Sequence, residues 1–287
     1  MSALAETAAA VPGTVARRVT LRPGRILAGL FLTAIVVAAL VPALLAPQDP
    51  LAISTDGAFL HPGAAHLLGT DESGRDTLSR MIYGARPSLI MGLGATAIGV
   101  AGGTLLGLIA GLGNRITEGA VMRLIDVVLS VPELLLALVV ITLLGTGVSN
   151  ALFAVGFAAI PAYARIVRAQ AHIVRRATYV EAAGTLGIRR VTVIWRHVLP
   201  NAVRPVLVLA TIGIGGAIGA GASLSFLGLG AKPPAAEWGD MLSIGMQYIS
   251  NDWLLAAIPG AAVTLTVLSV TVLGRELRRR SEGRTGR

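Results

Sequence analysis

The chain has 287 residues, of which 54% are hydrophobic and only 14% charged, with 35 glycines and no cysteine. That balance lies far from a soluble domain, where about a quarter of residues are charged, and without cysteine there are no disulfides, thiolate metal sites or thiol nucleophiles. The net charge of +9 and pI near 11.2 would point a soluble protein towards nucleic acid, but these arginines flank long apolar runs as topology signals do, which excludes nucleic acid and makes lipid the solvent.

Residues 1–24 are small, polar or basic, hold Pro12, Gly13, Pro23 and Gly24, and read as a cytoplasmic tail without fixed structure. A bilayer core about 30 Å thick needs roughly 20 apolar residues per helix, each rising about 1.5 Å. The first such run gives a transmembrane helix over 25–46. Its apolar stretch is longer than the 7–15 residues of a signal peptide, and no clean small-x-small site follows Ala46, so it reads as an uncleaved anchor. Residues 47–87, opened by Pro47, Asp49 and Pro50, form an extracytoplasmic segment. A core over 88–274 then holds five more apolar runs, at 88–113, 124–147, 148–164, 205–231 and 253–274, the second of them carrying Asp126 and Glu133. Residues 275–287 are a basic cytoplasmic tail. With the N-terminus inside, the inner segments hold twenty of the 24 basic residues, and only Arg75, Arg80, Arg86 and Lys232 lie outside. The reading is an all-α integral membrane protein of six transmembrane helices with both termini cytoplasmic.

In the second span Ala95, Gly99, Gly103, Gly107 and Gly111 recur every four residues, a stripe that marks close helix contact, either within this chain or with a second membrane subunit. Gly213, Gly215, Gly216, Gly219 and Gly221 give the fifth span freedom to bend or slide. Asp126 stands near Arg123 and Arg115, which accounts for it as an interfacial ion pair. Glu133 follows Arg123 by ten residues, about 15 Å deep along a straight helix. There a carboxylate needs a buried partner, a proton, or a place on a hydrated path, where it would meet a cationic amine of the cargo; Pro132 beside it opens a kink.

Enzyme chemistry finds no site. The only lysine, Lys232, precedes Pro233, so no P-loop exists, and there is no His-Glu-x-x-His. His61, His66, His172 and His197 fall on two sides of the membrane. Asp71, Glu72 and Asp76 lack the spacing of a calcium loop and have Arg75 among them, so no metal is assigned.

The longest inner excursion, 165–204, carries eight arginines. Within it Glu181-Ala182-Ala183 is followed after three residues by Gly187, then after nine by His197, then Leu199-Pro200-Asn201. The pattern predicts a short helix ending near Gly184 or Gly187, a turn, and a second helix from about Arg189 that stops before Pro200. This spacing resembles the Glu-Ala-Ala motif of binding-protein-dependent ABC importer permeases. His197 replaces the motif's isoleucine, and Arg196 to Asn201 is similar to the Arg-His-x-Leu-Pro-Asn run of the dipeptide, oligopeptide and nickel branch. The stretches 66–76, Arg123-Leu124-Ile125-Asp126 with Pro132, 222–230, Pro233-Pro234 and Trp238-Gly239 resemble the C-type subunit of that branch. Gly221, where many relatives are acidic, and Gly274-Arg275-Glu276 depart from it.

The resemblance implies a MetI-like core of five helices preceded by one N-terminal helix, in a bacterial inner membrane. It implies a coupling helix at Glu181, Ala182, Ala183 and Gly187, supported by His197, Leu199 and Pro200, that docks on separate ATPase subunits. It also implies a heterodimer with a related permease, two ATP-binding subunits that hold ATP and Mg, an extracytoplasmic substrate-binding protein, and no cofactor in this chain. The implied cargo is a di- or oligopeptide, with nickel or glutathione as alternatives. From another class, a proton-coupled secondary transporter would use Asp126 and Glu133 as a relay, but no inverted repeat is visible.

Overall fold

The computed structural model describes residues 23–281; the arginines Arg17, Arg18 and Arg22 and the last residues, 282–287, lie outside the described residues. In chain order the helices are α1 (Pro23–Leu40), α2 (Pro42–Leu45), α3 (Thr77–Leu112), α4 (Arg115–Leu129), α5 (Glu133–Leu144) and α6 (Val148–Arg175). They continue with α7 (Thr178–Thr185), α8 (Arg190–Val193), a π-helical turn at Ile194–Val198, α9 (Leu199–Phe226), α10 (Trp238–Gln247) and α11 (Leu254–Ser281). Five helical runs are long and apolar enough to cross a membrane: α1, α3, α6, the run of 190–226 that ends in α9, and α11. A sixth span exists only if α4 and α5 are taken together, and these are bent by 92°.

The bend falls at Pro132, where a kink is expected, but it breaks the single span expected over 124–147 into two helices. Ser130 turns its hydroxyl onto the Val127 carbonyl at 2.7 Å, and Pro132, with no N–H to donate, keeps extended backbone at φ −55°, ψ 135°. Glu133 is therefore the exposed first residue of α5, and a depth counted along one helix from Arg123 does not apply to it. Other boundaries also move. α3 begins at Thr77, well before residue 88, because Asp76 caps it by accepting from the Ser79 N–H at 2.8 Å. α6 runs past residue 164 to Arg175, and the first span stops at Leu40 because Pro42 follows. Hydropathy marks only the apolar part of a helix whose backbone bonds continue into charged turns.

α3 and α6 pack along most of their lengths, through the glycine stripe. A methyl added at Gly103 would lie 2.4 Å from Tyr163 Cβ, at Gly107 2.6 Å from the Ala164 carbonyl, at Gly111 2.7 Å from Ala171 Cβ and at Gly99 3.0 Å from Ala159 Cβ. Only hydrogen fits there, so the two backbones touch. α9 lies against α3, α6 and α11, while α1 covers α3 and α11. Of the α9 glycines, Gly213 faces the Tyr163 hydroxyl and Gly221 faces Met91, whereas Gly216 and Gly219 face open space. Arg25 on α1 and Glu276 on α11 pair at 2.9 Å, which puts both described ends of the chain on one end of the bundle.

Candidate functional site: a folded basic segment at one end of the bundle

The segment between α6 and α9 folds onto the ends of α3 and α6. α7 starts where the Ala177 carbonyl accepts from Val180 N at 2.9 Å and Glu181 N at 3.2 Å. It ends in a Schellman turn: Gly187 takes φ +75°, and Ile188 N returns to the Ala183 carbonyl at 3.2 Å. A side chain at Gly187 would meet nothing within 4 Å, so glycine is needed there for its backbone conformation. α8 then runs without a stop through the π turn, where Leu199 N bonds the Ile194 carbonyl, into α9. This corrects the expected end before Pro200. Pro200 is the second residue of α9, immediately after the π turn and inside the continuous run.

α7 has two faces. Val180 and Ala183 are buried with Val174, Val193 and Val198, against Leu112 and Ala177. Fully burying a valine is worth about 1.5–3 kcal/mol, so this underside anchors the segment. Glu181 and Ala182 face outward, and nearby Leu186 is 79% exposed, with Val191 and Trp195 each 66% exposed. His197 is half-buried, its ring 6.1 Å from that of Tyr179, and its carbonyl accepts from Asn201 Nδ2 at 2.7 Å. Leu199 is half-buried and Pro200 exposed. Two arginines bond the end of α3, one from α6 and one from the segment: Arg175 donates to the Gly111 carbonyl at 3.2 Å and Arg190 to the Leu112 carbonyl at 2.8 Å.

The charges assigned to the third span end up elsewhere. Asp126 pairs with Arg165 of α6 rather than with Arg123 or Arg115, and both side chains are more than half exposed. Glu133 stands on a separate helix, within electrostatic reach of the Tyr163 phenol. A further clip was missed in the sequence: one Glu118 carboxylate oxygen accepts from Arg168 Nε at 2.8 Å and pairs with His172 Nε2 at 3.0 Å. Its only signal was the i, i+4 spacing of Arg168 and His172, which puts both on one face of α6.

At the opposite end, residues 66–76 form a self-bonded knot. Asp71 accepts from Ser73 N and Arg75 N, each at 2.9 Å, and from Arg75 Nε at 2.7 Å. Arg75 also reaches Glu72, and Arg80 Nε lies 3.2 Å from Asp71 Oδ2. Asp76 pairs with His66 at 3.0 Å. Glu237 caps α10 through the N–H groups of Gly239 and Asp240, both at 3.0 Å, and Trp238 Nε1 donates to the Met81 carbonyl at 2.9 Å. Burial, and then the neighbouring Glu237 carboxylate, push the Asp240 carboxyl up to about 6.

A family described as the binding-protein-dependent transport system inner membrane component matches residues 103–285. The probable D,D-dipeptide transport system permease protein DdpC of Escherichia coli is 43% identical over 235 residues, 82% of this chain and 78% of the relative. The di/tripeptide transport system permease protein DppC of Pseudomonas aeruginosa is 40% identical, over 87% of this chain and 84% of the relative. The glutathione transport system permease protein GsiD of Pectobacterium atrosepticum is 41% identical, over 76% and 72%. In fold, the chain is similar to the inward-facing MetNI methionine ABC transporter, with a TM-score of 0.57 at 20% identity over 70% of this chain and 95% of that one. With a matching family model over more than half its length and these relatives over most of it, the chain belongs to the binding-protein-dependent transport system inner membrane components, as a multi-pass permease of the ABC importer type.

Proposed function

We propose that this chain is one of two related permease subunits, the C-type member of a heterodimer, that form the path of an ATP-driven importer of di- and oligopeptides. The single observation that carries the coupling half of this reading is the two-faced α7. Its valine and alanine underside is anchored on the ends of α3 and α6, while Glu181, Ala182 and the apolar Leu186 beside them face outward, exposed among the described residues. Small side chains allow close seating in a groove, and the Glu181 carboxylate can take charge-assisted hydrogen bonds worth about 1.5–3 kcal/mol each. In this reading residues 165–204 and both chain ends face the cytoplasm, where two ATPase subunits bind ATP and Mg and supply all the catalysis. An extracytoplasmic binding protein delivers cargo to the opposite end. The relatives for D,D-dipeptides and for di- and tripeptides support peptides, and the glutathione relative supports a modified tripeptide handled the same way. Glu133, exposed at the head of α5, lines the path and meets the amine of the cargo.

The test is ATP hydrolysis by the reconstituted complex, stimulated by binding protein loaded with dialanine. Glu181→Arg and Gly187→Trp should abolish the stimulation while the complex still assembles, and Glu133→Gln should lower uptake without loss of assembly. Full stimulation in the first two variants would sink the coupling assignment. A chain that purifies without ATPase subunits and transports only down a proton gradient would return the proton-driven alternative.

A further inference from the structure

The end of α3 is held by two arginines that do different work. The last carbonyls of a helix lack intrahelical partners and carry the negative end of its dipole, so guanidinium donors are favoured there. Arg175, the last residue of α6, donates to the Gly111 carbonyl at 3.2 Å, and Arg190, the first residue of α8, donates to the Leu112 carbonyl at 2.8 Å. α3 and α6 already touch backbone to backbone along the glycine stripe, so Arg175 adds a bond inside a single packed body. Arg190 instead stands beyond Gly187, whose left-handed turn at φ +75° has open space around it, and bridges from the segment that carries α7 to the packed pair.

We propose that Arg190 is the positioning residue that passes displacement of α7 to α3, an inference that rests on the coupling role assigned to α7 above. The segment also meets α3 through the apolar cluster of Val180, Val193 and Val198 around Leu112, and α8 continues into α9, which lies against α3 and α6. Apolar contact is non-directional, whereas a hydrogen bond has a preferred length and angle and so ties its acceptor to one position. When α7 moves, α8 moves with it, Arg190 pulls the Leu112 carbonyl, and α6 follows α3 because the glycine stripe leaves no room for slip.

The experiment compares Arg190→Gln, Arg190→Ala, Arg190→Lys and Arg175→Gln in the complete importer in proteoliposomes, using dialanine as the probe and counting dipeptides moved per ATP hydrolysed. Arg190→Gln and Arg190→Ala should assemble and hydrolyse ATP, yet move about threefold to tenfold fewer dipeptides per ATP, the range for one lost hydrogen bond from a charged donor at an exposed site. Arg190→Lys keeps a charged donor and should restore at least half of the ratio, while Arg175→Gln should leave it unchanged. A merely structural residue would lower assembly or both rates together, and that result, or an unchanged ratio in Arg190→Gln, overturns the proposal. If Glu181→Arg and Gly187→Trp leave stimulation intact, the coupling role of α7 falls first. If those two abolish it and Arg190→Gln does not change the ratio, only the present inference falls.

Discussion

Replacing Gly103 by alanine should destabilise the protein, although alanine is the better helix former. The added methyl would lie 2.4 Å from Tyr163 Cβ and 2.9 Å from Ala164 N, and neither atom can swing aside because both belong to or adjoin the α6 backbone. Overpacking of this kind costs about 1–3 kcal/mol, and contact with backbone puts it at the upper end. Exchange of glycine for alanine in a helix returns about 1 kcal/mol, so the net loss is about 2 kcal/mol. Gly119, inside α4, is the control: a methyl there meets nothing within 4 Å, so Gly119→Ala keeps only the propensity gain of about 1 kcal/mol. The two variants therefore differ by about 3 kcal/mol. For a chain of this size each kcal/mol shifts the melting temperature by about 2–4 °C, which predicts a separation of about 6–12 °C. Thermal unfolding of the purified protein in detergent, followed by tryptophan fluorescence, reads it. If Gly103→Ala melts within about 2 °C of Gly119→Ala, the α3–α6 contact is not the tight one described.

Two further perturbations separate strong polar sites from weak ones. Asp240 is raised from its ordinary 3.8 to about 6, so the folded chain binds that proton more tightly than the unfolded chain and loses stability as pH rises through this window. Asp240→Asn should therefore stabilise the protein by on the order of 1–2 kcal/mol at pH 7.5 and by little at pH 4, a crossover that melting curves at the two pH values will show. Glu118→Ala removes a carboxylate shared by Arg168 and His172 across two helices and should cost about 1–2 kcal/mol, whereas Asp126→Ala breaks a pair more than half exposed and should cost under about 0.5 kcal/mol in the same assay.

Much of the architecture was legible because the bilayer imposes a length and a solvent on each span: the uncharged runs from residues 88, 205 and 253 each lie largely within a long helix. The four-residue glycine spacing likewise announced a contact face, since an α-helix stacks such positions on one side. The start of α3 was not legible, because Arg80 reads as a loop cation until Asp71 and the Pro50 and Pro234 carbonyls are seen around it. Pro132 signalled a kink, but its size depends on how α5 rests on α6, which no local pattern records. Asp126 found Arg165 instead of Arg123 because its partner was chosen by helix packing. In the basic segment the turn at Gly187 was readable from glycine alone, while the continuation through Pro200 was not, because the π turn ahead of it supplies a bonding pattern that has no sequence signature.

The two ends of the bundle are built to different tolerances. At the end carrying residues 66–76, a methyl on Gly74 would sit 1.9 Å from the Ser54 carbonyl, Arg80 is buried against Asp71, and Trp238 and Glu237 fasten α10 to Met81 and Ser88 of α3. Displacing any of these strands a buried polar group, at about 1–3 kcal/mol each. At the basic end the exposed Asp126–Arg165 pair is a tie that water can replace at small cost, and the groups of the Glu118 clip are only partly buried. A tilt of the packed α3–α6 pair thus costs least when it pivots at the fastened end and swings at the basic one. That is the end where α7 presents its free face, so a force applied there acts on the longest lever and against the weakest bonds.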